Sequence, residues 1–268
     1  MTAPTLHPWN TGFSWEDRPA AGSFDRDGYV VVPDLLTAHE VAAAVAEIDR
    51  FEAEADAFLR SLDDGRLSIA ETGAITFSLH LAARSPLLAE LSRHPRIVSL
   101  CADLVGPDVR LYWDQAVYKK PEKPRRFPWH QDNGYAFVEP QQYLTVWLAL
   151  TDATVENGCP WVVPGLHRGG TLRHTYVEPL GFECLSEPEG AVAAPVPAGG
   201  AVVFSSLTPH LTGPNTTDAV RKAYILQYAP DGAEILRGDA DAGPPVSRER
   251  ADDPGRQWFV VRDGEAVR

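Results

Sequence analysis

His130 and Asp132 stand one residue apart in the run Trp129-His130-Gln131-Asp132. A second histidine, His210, lies eighty residues further on, and Arg221 follows it by eleven. Two imidazoles and one carboxylate form the donor set that holds a non-haem Fe(II) by one face. The opposite positions then stay open for substrates and O2. In an extended segment, residues i and i+2 point to the same side, so His130 and Asp132 can share one cavity. His210 comes just past the apolar run Val202-Val203-Phe204, which reads as a strand that could deliver it to the same place. Arg221 brings a lasting positive charge and a planar fork of donors, suited to a carboxylate in an enclosed pocket. A 2-oxoglutarate bound to the metal through its keto-acid end would place its far carboxylate within reach of such an arginine. His-x-Asp alone is a frequent chance pair; all four residues together carry the signal.

Elements able to position these residues follow from pattern. Tyr29–Val32 is a β-branched run stopped by Pro33. Thr37 and Glu40 match a capping box, opening an amphipathic helix over 38–62. Ser85-Pro86 starts a second helix ending near Arg93, and a third runs over 95–105 to Gly106-Pro107. From residue 109 the character changes. Short β-rich runs at 109–118, 143–150, 159–163, 200–204 and 222–228 are separated by Gly, Pro, Asn and Asp. Helices first and strands after predict an α+β, mainly β chain with a sandwich or barrel core. One domain covers 1–268: an N-terminal arm (1–22), a mostly helical flank (23–108), a β core (109–230) and a C-terminal segment (231–268). Residues 239–256 read as a loop, and 257–261 as an edge strand.

Composition narrows the partners. The 268 residues carry a net charge of −13, which repels a phosphate backbone, so nucleic acid is not expected. The basic stretch Lys119–Arg126 reads either as a solvated loop or as a lip that attracts an anionic substrate. Three cysteines without paired spacing form neither a disulfide framework nor a zinc site, which fits a reducing cytoplasm. No apolar run approaches a membrane span, and Met1–Trp15 lacks the pattern of a signal peptide.

Several runs, in order, resemble the phytanoyl-CoA dioxygenase (PhyH-like) family of Fe(II)/2-oxoglutarate oxygenases. They are Phe24–Val31, Trp129–Asp132, Asn157–Arg168, and Gly200–Phe204 leading to His210, Asn215 and Arg221. The resemblance covers roughly residues 24–230. It implies a double-stranded β-helix (jelly-roll, cupin-like) core with flanking N-terminal helices. It also implies that His130, Asp132 and His210 bind Fe(II), that Arg221 binds 2-oxoglutarate, and that O2 is consumed. Members that halogenate replace the carboxylate by Gly or Ala. Asp132 is present here, so hydroxylation or another oxidation is expected rather than halogenation.

Gln115 and Lys119 share a strand face, and a Gln at this place often touches 2-oxoglutarate in the family. Thr145 and Trp147 share the next strand's face, where they line the pocket or simply pack the jelly roll. Phe77, Arg126, Tyr135 and Phe137 are substrate-contact candidates by proximity, with core packing as the alternative for the aromatics. His167 reads as a surface or supporting residue; His80, His94 and His174 read as structural. The partner expected is a small molecule such as a natural-product intermediate or amino-acid derivative. Two rivals stay open. A cupin-type metalloenzyme would need no 2-oxoglutarate, and a non-catalytic jelly-roll module would only bind its ligand.

Overall fold

The computed structural model describes residues 4–17 and 21–267. Helix α1 (Ser23–Asp27) leads into β1 (Tyr29–Val32), and α2 spans Ala38–Arg60. Thr37 accepts from the Glu40 amide at 3.3 Å while the Glu40 carboxylate accepts from the Thr37 amide at 2.8 Å. Two otherwise unpaired amides are thereby satisfied, which fixes where α2 begins. The predicted mostly helical flank also contains strands: β2 (Arg66–Leu67), β3 (Ala70–Glu71) and β4 (Ile75–Leu79) follow α2. The first two are too short for any periodicity to show. Helix α3 (Pro86–Leu91) has Ser85 as its N-cap, and α4 (Pro95–Leu104) ends the flank.

The core strands are β5 (Val109–Lys119), β6 (Val138–Glu139), β7 (Leu144–Ala149), β8 (Pro160–Val162), β9 (Thr175–Val177), β10 (Gly181–Glu183), β11 (Val192–Ala193), β12 (Ala201–Ser205), β13 (His210–Thr212) and β14 (Arg221–Pro230). After them come β15 (Glu234–Arg237), β16 (Ser247–Arg250), β17 (Phe259–Arg262) and β18 (Glu265–Ala266). Strand β16 lies inside the segment read as a loop. It is exposed along its whole length, so it shows no alternating burial to betray it.

The large sheet runs β1-β12-β7-β14-β5-β4-β3-β2, with β17 also on β5. Opposite it lies a small sheet, β11-β8-β13, extended by bridges from His210 to His130 and from Trp129 to Leu185. These two sheets are the jelly-roll core. Strands β7 and β12 are buried at every position. Val146, Leu148 and Val203 pack outward against Ile48, Leu88 and Ile97 of the helices. Trp147, Val202, Phe204 and Ile225 face inward between the sheets.

Strand β5 departs from regular alternation at one point. Gln227 pairs with Trp113 but Tyr228 pairs with Leu111, so Tyr112 is an extra residue in β5. Leu111 and Ala116 belong to the outer cluster, whereas Tyr112 packs with Tyr143 and Ile235, and Trp113 joins them. The bulge thus turns two consecutive side chains to the inner side. The Gln257 amide donates to the Tyr112 carbonyl at 3.2 Å. No helix among the described residues is long and apolar enough to cross a membrane.

Candidate active site

His130 and His210 face each other across the small sheet, each amide donating to the other's carbonyl at 2.9 and 2.8 Å. Their ring centroids are 4.1 Å apart. The chain stays extended through Gln131 and then tightens into a short turn at Asp132–Gly134. That turn, rather than a continuing strand, aims the Asp132 carboxylate at both rings. Asp132 Oδ1 lies 3.9 Å from His130 Nε2 and 3.7 Å from His210 Nε2. One donor atom from each of the three residues lies within 4.8 Å of the others.

The surroundings choose which atoms are available. His130 Nδ1 lies 2.8 Å from the Pro128 carbonyl, and His210 Nδ1 lies 3.0 Å from the Thr208 carbonyl. A carbonyl only accepts, so each Nδ1 carries the proton and each Nε2 presents a lone pair. Burial, with His210 adding to it, pushes the His130 pKa well below the usual imidazole value. Thr145 Oγ donates to Asp132 Oδ2 at 2.5 Å, which leaves Oδ1 to bind. These are the unprotonated donors a divalent metal requires.

Gln131, between two candidate ligands, is fully buried and pinned at every polar group. Its amide nitrogen donates to the Gly170 and Leu207 carbonyls, its oxygen accepts from the Leu172 amide, and its backbone N–H donates to His174 Nε2 at 2.9 Å. Burial lowers the His174 pKa to about 4, so it stays neutral and able to accept. Sequence reasoning gave neither residue a role at the site. The position of Gln131 inside the motif was the available clue.

A cavity of about 620 Å³ opens from the three residues, within the usual size of a small-molecule site. Gln115, Thr145, Trp147, Phe77, Tyr135 and Arg221 all line it. Arg221 opens β14 at the deep end and is 1% exposed, its guanidinium carbon 5.0 Å from the Trp147 ring centroid. None of its three nitrogens has a hydrogen-bond partner among the described residues. Burial lowers its pKa to about 9, which still leaves it charged at neutral pH. A buried cation without a partner costs several kcal/mol. The fold holds a charged socket that an anionic guest would complete.

Three sequence candidates fall elsewhere. Lys119 points along the same face as Gln115, but its ammonium donates to the carbonyls of Arg125, Thr212 and Gly213 and does not line the cavity. Arg126 pairs with Glu183 at 2.9 Å, and Phe137 packs against His7 and Trp9. His167 is fully buried against Trp15 rather than at the surface. The basic stretch is neutralised as well: Lys120 pairs with Glu52, and both Lys123 and Arg125 pair with Glu71. Cavity residues that the sequence reading missed include Tyr112, Tyr143, Gln227, Arg237 and Arg256. Tyr143 shares parity with Thr145 and Trp147, so alternation could have found it. The others depend on the bulge or on distant chain segments.

Thr145→Val should keep the fold and weaken Fe(II) affinity by roughly 10–100-fold, the usual cost of losing a group that holds a metal ligand in place. Metal titration followed by calorimetry would measure it. Unchanged affinity would mean that Asp132 needs no such support.

A jelly roll that brings two histidines, one carboxylate and a buried arginine, unpartnered among the described residues, into a single cavity is the arrangement of a metal-dependent oxygenase. Residues 24–223 match the model of the phytanoyl-CoA dioxygenase (PhyH) family, and the chain belongs to that family. It is 31% identical over 156 residues to phytanoyl-CoA dioxygenase domain-containing protein 1 of Danio rerio, covering 54% of each chain. The match thus spans about half the length of that relative. Ectoine dioxygenase of Sphingopyxis alaskensis is 27% identical, with 98% of this chain and 88% of the relative covered. Among solved structures, the epimerase SnoN in complex with Fe3+, alpha ketoglutarate and nogalamycin RO is 26% identical. Its TM-score is 0.66, over 85% of this chain and 94% of that one.

Proposed function

We propose that this protein is an Fe(II)/2-oxoglutarate-dependent dioxygenase that hydroxylates, or otherwise oxidises, a small organic molecule. A natural-product intermediate or an amino-acid derivative is the class of substrate. The observation that carries this reading is Arg221, a buried guanidinium with no hydrogen-bond partner among the described residues, in the same cavity as His130, Asp132 and His210. A cupin-type enzyme without a co-substrate would need an anionic substrate to answer that charge.

His130 Nε2, Asp132 Oδ1 and His210 Nε2 would hold the iron. With 2-oxoglutarate and O2, iron held there would supply the oxidation of a substrate C–H, coupled to conversion of 2-oxoglutarate to succinate and CO2. Arg221 would hold the far carboxylate of the co-substrate through charged hydrogen bonds. Trp147 and Ile225 exclude water from that end, which strengthens the pairing. Gln115, whose oxygen accepts from Trp113 Nε1 at 3.3 Å, keeps its amide protons available to a carboxylate oxygen. Thr145 holds Asp132 in register throughout. The similarity to SnoN and to an ectoine dioxygenase supports the small-molecule reading.

The test is succinate release from purified protein with Fe(II), 2-oxoglutarate, air and a panel of such compounds. A hit should depend on both iron and 2-oxoglutarate. Oxidation that continues at the same rate without 2-oxoglutarate would contradict the proposal.

A further inference from the structure

The cavity has a second polar end. On β14, Arg221 and Gln227 are six residues apart, roughly 20 Å of strand. Thr145, which holds Asp132, lies opposite Gln227, and Tyr143 lies one alternation beyond it. The metal donors therefore sit between Arg221 at one end and the Tyr112–Tyr143 pair at the other.

That far end offers donors and almost no acceptors. The Tyr112 and Tyr143 rings meet edge to face at 5.3 Å, and both residues line the cavity. Neither hydroxyl has a hydrogen-bond partner among the described residues. Burial raises the Tyr112 pKa to about 12 and that of Tyr143 well above its ordinary value, so both keep their protons. Arg237 and Arg256 line the same end. Arg237 spends Nε and Nη2 on Glu249, and Arg256 spends only Nε on Asp253. Among the described residues, Nη1 of Arg237 and both Nη atoms of Arg256 have no hydrogen-bond partner. Among the described lining residues the one carboxylate is Asp132, which the metal claims.

On the side of α2 and β2–β4, beside β5 in the same sheet, the cavity is apolar. Phe58, Leu67, Ile69, Phe77 and Leu79 line it. Phe58, Leu67 and Leu79 stay 53%, 57% and 43% exposed, an apolar lip that a guest would cover.

We propose that the substrate is an amphipathic carboxylate: its anionic group binds Tyr112, Tyr143, Arg256 and Arg237, while an apolar body lies along Phe58, Leu67, Ile69, Phe77 and Leu79. Glu249 and Asp253 already balance part of the arginine charge. A monoanion therefore suits this end better than a doubly charged phosphate. The bulge in β5 puts Tyr112 on the same side as Trp113 and Gln115, where regular alternation counted back from Gln115 would have turned it away. This inference rests on the proposed function, because it assigns the substrate side of the same cavity.

The test uses Fe(II)- and 2-oxoglutarate-loaded protein without oxygen, and four aryl-alkyl probes of one skeleton: a carboxylate, its methyl ester, the amine and the phosphate. Calorimetry reads their binding, and the visible iron–2-oxoglutarate band is recorded beside it. The acid should bind at least about tenfold tighter than the ester, as expected for charged hydrogen bonds. Tyr143→Phe and Arg256→Gln should each remove most of that preference and leave the band in place. Equal binding of all four probes, a preference for amine or phosphate, or unchanged selectivity in both variants would overturn the inference. A missing band with intact acid selectivity would count against the proposed function alone.

Discussion

His210→Ala should abolish iron binding and turnover together while the protein stays folded. His210 opens β13 and reaches the metal position only through Nε2, with Nδ1 held by the Thr208 carbonyl. His130 and Asp132 alone offer two donors, too few to hold the metal against water. Disturbing a group that merely supports a ligand costs roughly 10–100-fold, so deleting the ligand should exceed that range in kcat/KM. The reciprocal hydrogen bonds between residues 130 and 210 are backbone bonds, which alanine retains. Circular dichroism and thermal melting should therefore change little. Wild-type iron affinity in this variant would exclude His210 from the ligand set.

Arg221→Met should act in opposite directions on stability and on co-substrate use. In the empty protein, a buried cation without a partner gives way to an apolar chain of similar length beside Trp147 and Ile225. Removing an uncompensated buried charge should raise apo stability by about 1 kcal/mol or more. The sign with pH follows from the same burial. The folded pKa, about 9, lies below the ordinary value of 12.5, so the penalty is full below pH 9 and fades as pH rises through that value. The variant's advantage should therefore be largest near neutrality and shrink above pH 9. Loss of the charged fork should raise KM for 2-oxoglutarate by roughly 30-fold to several thousandfold, a cost of about 2–5 kcal/mol. Stabilisation of the metal-loaded wild type by saturating 2-oxoglutarate, about 2.7 kcal/mol at a hundred times Kd, should disappear. Melting curves with and without co-substrate would show both effects. A destabilised variant with an unchanged KM would mean that Arg221 serves packing.

The candidate ligand set was the most legible part of the chain, because residue types at short spacing can be read without knowledge of the fold, and the structure brings the three together. His130 and Asp132 sit two apart, and His210 with Arg221 brackets one connection. Thr145, Trp147 and Gln115 followed from strand parity, and the structure places all three in the cavity. Parity misled for Lys119, since it fixes the face but not the partner, and three backbone carbonyls claim the ammonium. Proximity misled for Phe137, which packs with the N-terminal His7 and Trp9. Tyr112 was hidden because a bulge breaks the alternation that parity relies on. Arg237 and Arg256 arrive from residues far down the chain, where no local pattern points back to the metal. Helices α2 and α3 were legible from their caps, whereas α1 has no side-chain cap to mark it, and β2, β3 and β16 are set by pairing partners and carry no periodic signal of their own.

The most direct measurement is an anaerobic titration of the metal-free protein with Fe(II) and then 2-oxoglutarate, following the weak visible charge-transfer band. Wild type should develop the band only when both are present. His210→Ala should show none, and Arg221→Met should reach it only at much higher co-substrate. No band from wild type at saturating iron and 2-oxoglutarate would contradict the assignment of this cavity to an iron- and 2-oxoglutarate-dependent dioxygenase.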